Sequence, residues 1–204
     1  MRLLILLFLS LPITLLSQAP YAEKRFELLL SESKVQWYGN NFGGVCCGHD
    51  GTIQVTSGYL ITVGILITKG DFVLDMNTIR NTDQKDAQSR KDLEDHLKSK
   101  DFFETDNFPK AFFSITRTTE LHDPLQPNQY IVTGFLGIKG ITNTITFPAT
   151  INFTKTTAKA AAVITIDRTK WDVTFQSKTI FSTLKEGALA DEIKMTLDLT
   201  FKTK

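Results

Sequence analysis

The C-terminal stretch IKMTLDLTFK puts Ile193, Met195, Leu197, Leu199 and Phe201 on one face. Lys194, Thr196, Asp198, Thr200 and Lys202 take the other. Strict alternation of this kind marks a strand with one wet face and one buried face. ITFPATINF repeats the pattern, with Ile145, Phe147, Ala149, Ile151 and Phe153 set against Thr146, Pro148, Thr150 and Asn152. Pro148 has no N–H for a ladder, so it predicts an edge-like or bulged position. In AKAAAVITIDR, Ala160, Ala162, Ile164 and Ile166 share a face. QYIVTGFLGIKG reads as a further strand, with Gly134 and Gly137 expected at bends or close approaches. Segments 34–38, 51–56, 59–68, 71–77 and 111–120 bring the set to about eight or nine short strands rich in Thr and Ile.

One segment departs from period two. Residues 83–99 are densely charged, with Leu93 and Leu97 at i and i+4. That predicts a short amphipathic helix capped near Asp83 or Asp86. Its narrow apolar stripe places it on a surface or across an opening. Residues 121–129, LHDPLQPNQ, read as a hairpin loop. No fixed-period repeat, low-complexity tract or interdomain linker breaks the chain.

Many strands, one helix and no parallel crossovers specify an all-β domain. An open sheet of this length would leave long edges exposed, and closure into a barrel removes them. An antiparallel eight-stranded barrel has an interior that side chains can fill or that holds one small ligand.

Residues 1–17, MRLLILLFLSLPITLLS, pair a single Arg2 with an apolar run broken at Pro12. This is signal-peptide length and short of the roughly 20 apolar residues of a membrane span. Cleavage after Ser17 is expected, with bonds up to Ala22 as alternatives, which leaves a domain over 23–204 in the periplasm or outside the cell. No later segment is apolar for long enough to insert stably in a membrane. Lys plus Arg number 23 and Asp plus Glu 22, so no field is present to hold nucleic acid. Fifteen Phe stand beside four Tyr and two Trp, and Phe carries area without a polar handle. The composition therefore favours a large apolar interior.

HLKSKDFFETDNFPKAFFSI (96–115), YIVTGFLGIKGITNTITFPATI (130–151) and IDRTKW (166–171) together resemble the YceI-like family. The similarity runs from Ser31 to Lys204. The resemblance implies a lipocalin-like antiparallel barrel in a secreted or periplasmic protein. It further implies a partner that is a lipidic small molecule, isoprenoid-like, held inside the barrel. A homodimer is expected of such barrels, although no interface residue stands out.

The apolar faces supply the expected lining: Phe113, Ile115, Leu136, Ile138, Phe147, Ile151, Ile164, Ile166, Met195 and Leu197. Arg168, Lys170 and Trp171 follow the strand that ends near Ile166. A guanidinium and an ammonium there would hold a pyrophosphate or carboxylate head, with the indole over the chain. The competing reading pairs Arg168 with Asp167, Asp172 or a distant carboxylate. His96 is a candidate acid–base or metal ligand. Its structural alternative is a helix-terminal His bonded to a backbone carbonyl, with Phe102, Phe103 and Phe108 plugging a barrel end.

GGVCCGH, 43–49, places two thiols and His49 within four residues. Three ligands suit a soft metal only with a fourth from elsewhere, and the haem spacing Cys-x-x-Cys-His is absent. The alternatives are a strained vicinal disulfide, an intermolecular bond or two buried thiols. Asp71, Asp75, Asp83 and Asp86 lack calcium-loop spacing and read as solvated or turn residues. No catalytic motif, metal site or cofactor is assigned. The leading expectation is a lipid-binding protein. Two other readings stand beside it: an isomerase or hydrolase on a lipid in the same cavity, using His96 or His49, and a structural envelope or stress protein with a packed core.

Overall fold

The structure, a computed structural model, describes residues 22–41, 48–184 and 187–204. The apolar N-terminal run expected as a signal peptide and the pair Cys46 and Cys47 lie outside the described residues. The strands are β1 (Glu23–Leu28), β2 (Lys34–Asn41), β3 (His49–Val63), β4 (Leu66–Asn81), β5 (Lys110–Asp123), β6 (Gln126–Ile138), β7 (Ile141–Phe153), β8 (Thr157–Asp167) and β9 (Leu189–Thr203). One helix, α1 (Ala87–Lys98), joins β4 to β5.

The pairings run β3-β2-β9-β8-β7-β6-β5-β4, and β4 returns to β3, so the antiparallel sheet closes. β1 pairs with the same two neighbours as β2, namely β3 and β9. The two are segments of one stave, interrupted by the 3₁₀ turn Leu30–Glu32. The barrel thus has eight staves built from nine strands. β1 was not foreseen: in EKRFEL only Phe26 and Leu28 turn inward, too few to declare a period.

One wall is regular. β6 pairs with β7, and β8 with β9, without a register shift. The opposite wall is bulged. β3 and β4 slip at Thr52/Gln54, Val55/Ser57 and Ile61/Thr62. A bulge adds a residue to one strand and so flips the inward parity of everything beyond it. In β3 the inward set changes from Gly51 and Ile53 to Gly58, Leu60 and Thr62. The expected strands 51–56 and 59–68 are therefore wrongly divided. β3 is continuous, and its turn falls at Gly64, whose φ of 64° suits glycine. Gly137 marks a close approach: a Cβ there would stand 2.0 Å from the Phe112 ring.

β7 pairs with β8 only from Ala149 to Phe153. Pro148 sits where that ladder stops, which is the edge-like position its missing N–H demands. Beyond it, Ile141–Pro148 is held by β6 alone and Val163–Asp167 by β9 alone.

At one end the barrel carries the hairpins β3–β4, β5–β6 and β7–β8, and its interior is packed by Phe26, Tyr130 and Phe201, each 2% exposed or less. The other end carries α1 and a 3₁₀ turn, Arg168–Trp171. Asp86 caps α1 by accepting from the Ser89 amide at 2.7 Å. No helix of the described residues is long and apolar enough to cross a membrane.

Candidate functional site

The inward faces do not fill the barrel. Two chambers lie in line, sharing Leu74, Leu136 and Met195 as a waist. The lower one is about 90 Å³ and is lined by apolar side chains alone. Phe113, Ile115, Phe147, Ile151, Ile164 and Leu197 all line it, together with Phe72 and Val55 from the bulged wall. Its rings interlock, with Phe113 at 5.5 Å from Phe147 and stacked at 6.5 Å on Phe72.

The upper chamber is about 170 Å³ and lies under α1. Ile138 and Ile166 line it from the regular wall, Trp37 from β2 and Met76 from the bulged wall. Leu93, His96 and Leu97 line it from α1, with Phe102 and Phe103 just beyond the helix. The helix therefore roofs the barrel. Phe108 packs elsewhere, over Gly140.

His96 does not play the locking role expected of a helix-terminal imidazole. Its backbone carbonyl is taken by Ser99, whose amide and Oγ donate to it at 3.1 and 2.8 Å. The ring instead packs edge-on against Phe175 at 4.5 Å and Phe102 at 5.8 Å. Its Nε2 is buried without a hydrogen-bond partner.

The IDRTKW segment separates into two faces. In a 3₁₀ turn residues i and i+3 eclipse, so Arg168 and Trp171 both point inward while Lys170 faces solvent. The expected Arg–Lys cation pair is not assembled. Lys170 lines neither chamber; its backbone carbonyl accepts from Asn143 at 2.8 Å. Trp171 is 2% exposed and lies behind the wall, with Nε1 donating to the Leu136 carbonyl at 3.0 Å. Arg168 lines the upper chamber and is 2% exposed. Its Nε donates to the Ala190 carbonyl at 3.0 Å and Nη1 to the Val173 carbonyl at 2.7 Å. Nη2 faces Asp191 Oδ1 at 3.4 Å, an ion pair too poorly aligned to be a hydrogen bond. Burial pushes the guanidinium pKa down, and the carboxylates of Asp191 and Asp167 oppose that shift.

His49 also lines the upper chamber, and its Nδ1 meets Asp83 Oδ2 at 3.0 Å. Asp83 is more than a solvated turn residue. It also accepts from Asn81 Nδ2 and from the Asp50 amide. Burial raises its carboxyl, but the hydrogen bonds from His49, Asn81 and the Asp50 amide outweigh this and leave it below the ordinary range. Among the described residues no group of His, Cys, Asp and Glu is placed to hold a metal.

Sequence reading missed the lining from Val55, Phe72, Leu74 and Met76, because β3 and β4 break parity, and that from Trp37 on β2. The distant carboxylate that the competing reading pairs with Arg168 is Asp191, 23 residues beyond it. The alternation of Leu189, Asp191 and Ile193 along β9 was the available signal, since it turns Asp191 toward the same side as its apolar neighbours.

A family model described as a YceI-like domain matches residues 26–201. BcnA of Burkholderia cenocepacia has a similar structure: 21% identity, TM-score 0.63, covering 85% of this chain and 98% of that one. A polyisoprenoid binding domain from Saccharophagus degradans, implicated in plant cell wall breakdown, aligns at 12% identity and TM-score 0.64, covering 88% and 98%. The Campylobacter jejuni YCEI protein aligns at 16% identity and TM-score 0.54, covering 100% and 99%. No curated protein matches.

Proposed function

The chain belongs to the YceI-like family, and on that premise we propose that it is a periplasmic or secreted binding protein for an isoprenoid or other lipidic amphiphile. The observation that carries this reading is the pair of in-line chambers, almost wholly apolar and joined at Leu74, Leu136 and Met195. An engineered apolar cavity of about 150 Å³ stays dry and takes up benzene. A chamber of about 170 Å³ with a second of about 90 Å³ behind it suits a prenyl or alkyl tail better than a compact ring. Burying the tail gains about 25 cal/mol per Å² of apolar area, enough over several carbons to exceed the cost of association.

The lining favours binding over catalysis. Among the described residues no hydroxyl, thiol or carboxylate side chain lines either chamber, so neither His49 nor His96 has a nucleophile to activate there. A structural protein with a packed core is the reading that the chambers support least.

The test is extraction of the purified protein with organic solvent, mass spectrometry of the extract, and titration of the stripped protein with a fluorescent apolar probe. One probe per chain, displaced by prenyl alcohols, is the expected result. Stripped, folded protein that takes up no probe overturns the reading.

A further inference from the structure

We propose that the ligand's tail reaches the lower chamber sideways, through an opening in the wall between β7 and β8 that the 3₁₀ turn Arg168–Trp171 fastens from above. This rests on the reading of the barrel as a binder of amphiphiles, and assigns the entry route to that same site.

The hairpin end is packed by Phe26, Tyr130 and Phe201, so no tail passes there. From the upper chamber the route runs past the waist of Leu74, Leu136 and Met195. The wall offers a shorter one. β7 and β8 pair from Phe153–Ala158 up to Ala149–Ala162 and no further. Above that rung β7 is laddered to β6 and β8 to β9, not to each other. Paired strands stand about 4.8 Å apart, too close for an alkyl chain to pass between them. Parting them elsewhere breaks ladder bonds, whereas here none has to break. The backbone N–H and C=O groups facing this gap have no ladder partner, and such groups turn to water. Pro148, which has no N–H to give, writes the end of the ladder into the sequence.

The side chains at the gap suit a tail. Ile145 and Phe147 on β7 and Ile164 on β8 line the lower chamber at this height. Ala160, Ala161 and Ala162 all line it too, although Ala161 is exposed, so the wall there is little more than backbone. Just above the last rung, Pro148 and Val163 are exposed on the outer face. A tail thus finds apolar contact outside the opening as well as behind it.

The top of the opening is fastened by side chains. Lys139 Nζ donates to the Asp172 carbonyl at 2.8 Å, Asn143 Nδ2 to the Lys170 carbonyl at 2.8 Å, and Trp171 Nε1 to the Leu136 carbonyl at 3.0 Å. All three join the β6–β7 hairpin to the turn after β8. Asn143 is the nearest of them to the gap and lines neither chamber. It therefore acts as a latch on the opening and not as a contact of the bound tail.

The test is stopped-flow uptake and release of a fluorescent apolar probe by the stripped full chain. Asn143→Ala is expected to speed both rates about threefold and leave Kd unchanged. Continuing the Ala149–Ala162 register sets the exposed Thr146 and Thr165 across the gap from each other. Thr146→Cys with Thr165→Cys, in a chain carrying Cys46→Ser and Cys47→Ser, lets a short bifunctional maleimide tie the two strands together. The linked protein is expected to exchange probe about tenfold more slowly than the same protein with its thiols capped singly. Equal rates in linked and capped protein overturn the side opening and leave the chambers as a site filled past the waist. A changed Kd for Asn143→Ala at an unchanged association rate overturns its role as latch. Failure of the native chain to bind the probe overturns the binder reading beneath both. The comparison of linked with capped protein decides the matter even where Asn143→Ala does not fold.

Discussion

The two chambers share a waist and little else. The lower one is walled by side chains from strands that alternate, and every residue lining it is apolar. The upper one takes its roof from a helix and an edge from a 3₁₀ turn, and its lining includes two asparagines, two histidines and an arginine. The contrast teaches where this fold keeps cohesion and where it keeps discrimination. Apolar contact is non-directional and accepts any tail that fits. Polar side chains around a chamber disfavour ligands that leave them unpaired.

The largest test of that division is truncation in each chamber. Phe201 is fully buried in the lower wall, and Phe201→Ala should cost about 4 kcal/mol in denaturant unfolding. Leu93 is half-buried in the roof, and Leu93→Ala should cost about half as much. Equal losses would make the roof part of the core and end the comparison. Next is Arg168→Met, expected to cost about 3 kcal/mol because it removes a buried guanidinium and leaves the part-buried Asp191 carboxylate without its cation. Adding Asp191→Asn should restore more than half of that loss, whereas no recovery would mean that Arg168 acts through its carbonyl bonds instead.

Ala162→Phe intrudes on the lower chamber alone and should cost about 1–3 kcal/mol in stability. It should weaken a long-chain alcohol about tenfold while sparing a short one, read by probe displacement. The smallest effect is in acid. Asp83 is held below its ordinary range in the folded chain. Its contribution is fully present above the unfolded Asp value of about 4 and is lost as pH falls through the lower folded value. Asp83→Asn should remove that contribution at neutral pH, flatten the acid limb of the stability profile, and leave stability below the folded Asp83 value nearly unchanged.

How legible each chamber is follows from the same contrast. Phe147, Ile151, Ile164 and Leu197 could be read two by two because their strands keep register. Phe72 and Val55 could not, since the slips in β3 and β4 turn the pattern over midway. In the roof, Leu93 and Leu97 signalled a helix, and Asp86 its cap, but not that the His96 ring would pack against Phe102 and Phe175 with Nε2 free of hydrogen bonds. Lys170 and Trp171 looked equivalent to Arg168 because adjacency carries no direction; three residues per turn then separates one from the other two. The alternation along β9 could mark Asp191 as turned with its apolar neighbours, but that it meets Arg168 is a tertiary fact.

The ladder that ends at Pro148 has a mechanical consequence. Along Ile141–Pro148 and Val163–Asp167 the wall is a seam without ladder bonds, each lip paired in the sheet only with its outer neighbour and pinned by Asn143 Nδ2 on the Lys170 carbonyl. Prising the lips apart breaks no strand-to-strand bond, and immediately behind them stand Ile145, Phe147 and Ile164. Any transient breathing of the cylinder is cheapest at this slit, so backbone amides flanking it should exchange with solvent sooner than those of the fully zipped β8–β9 pair.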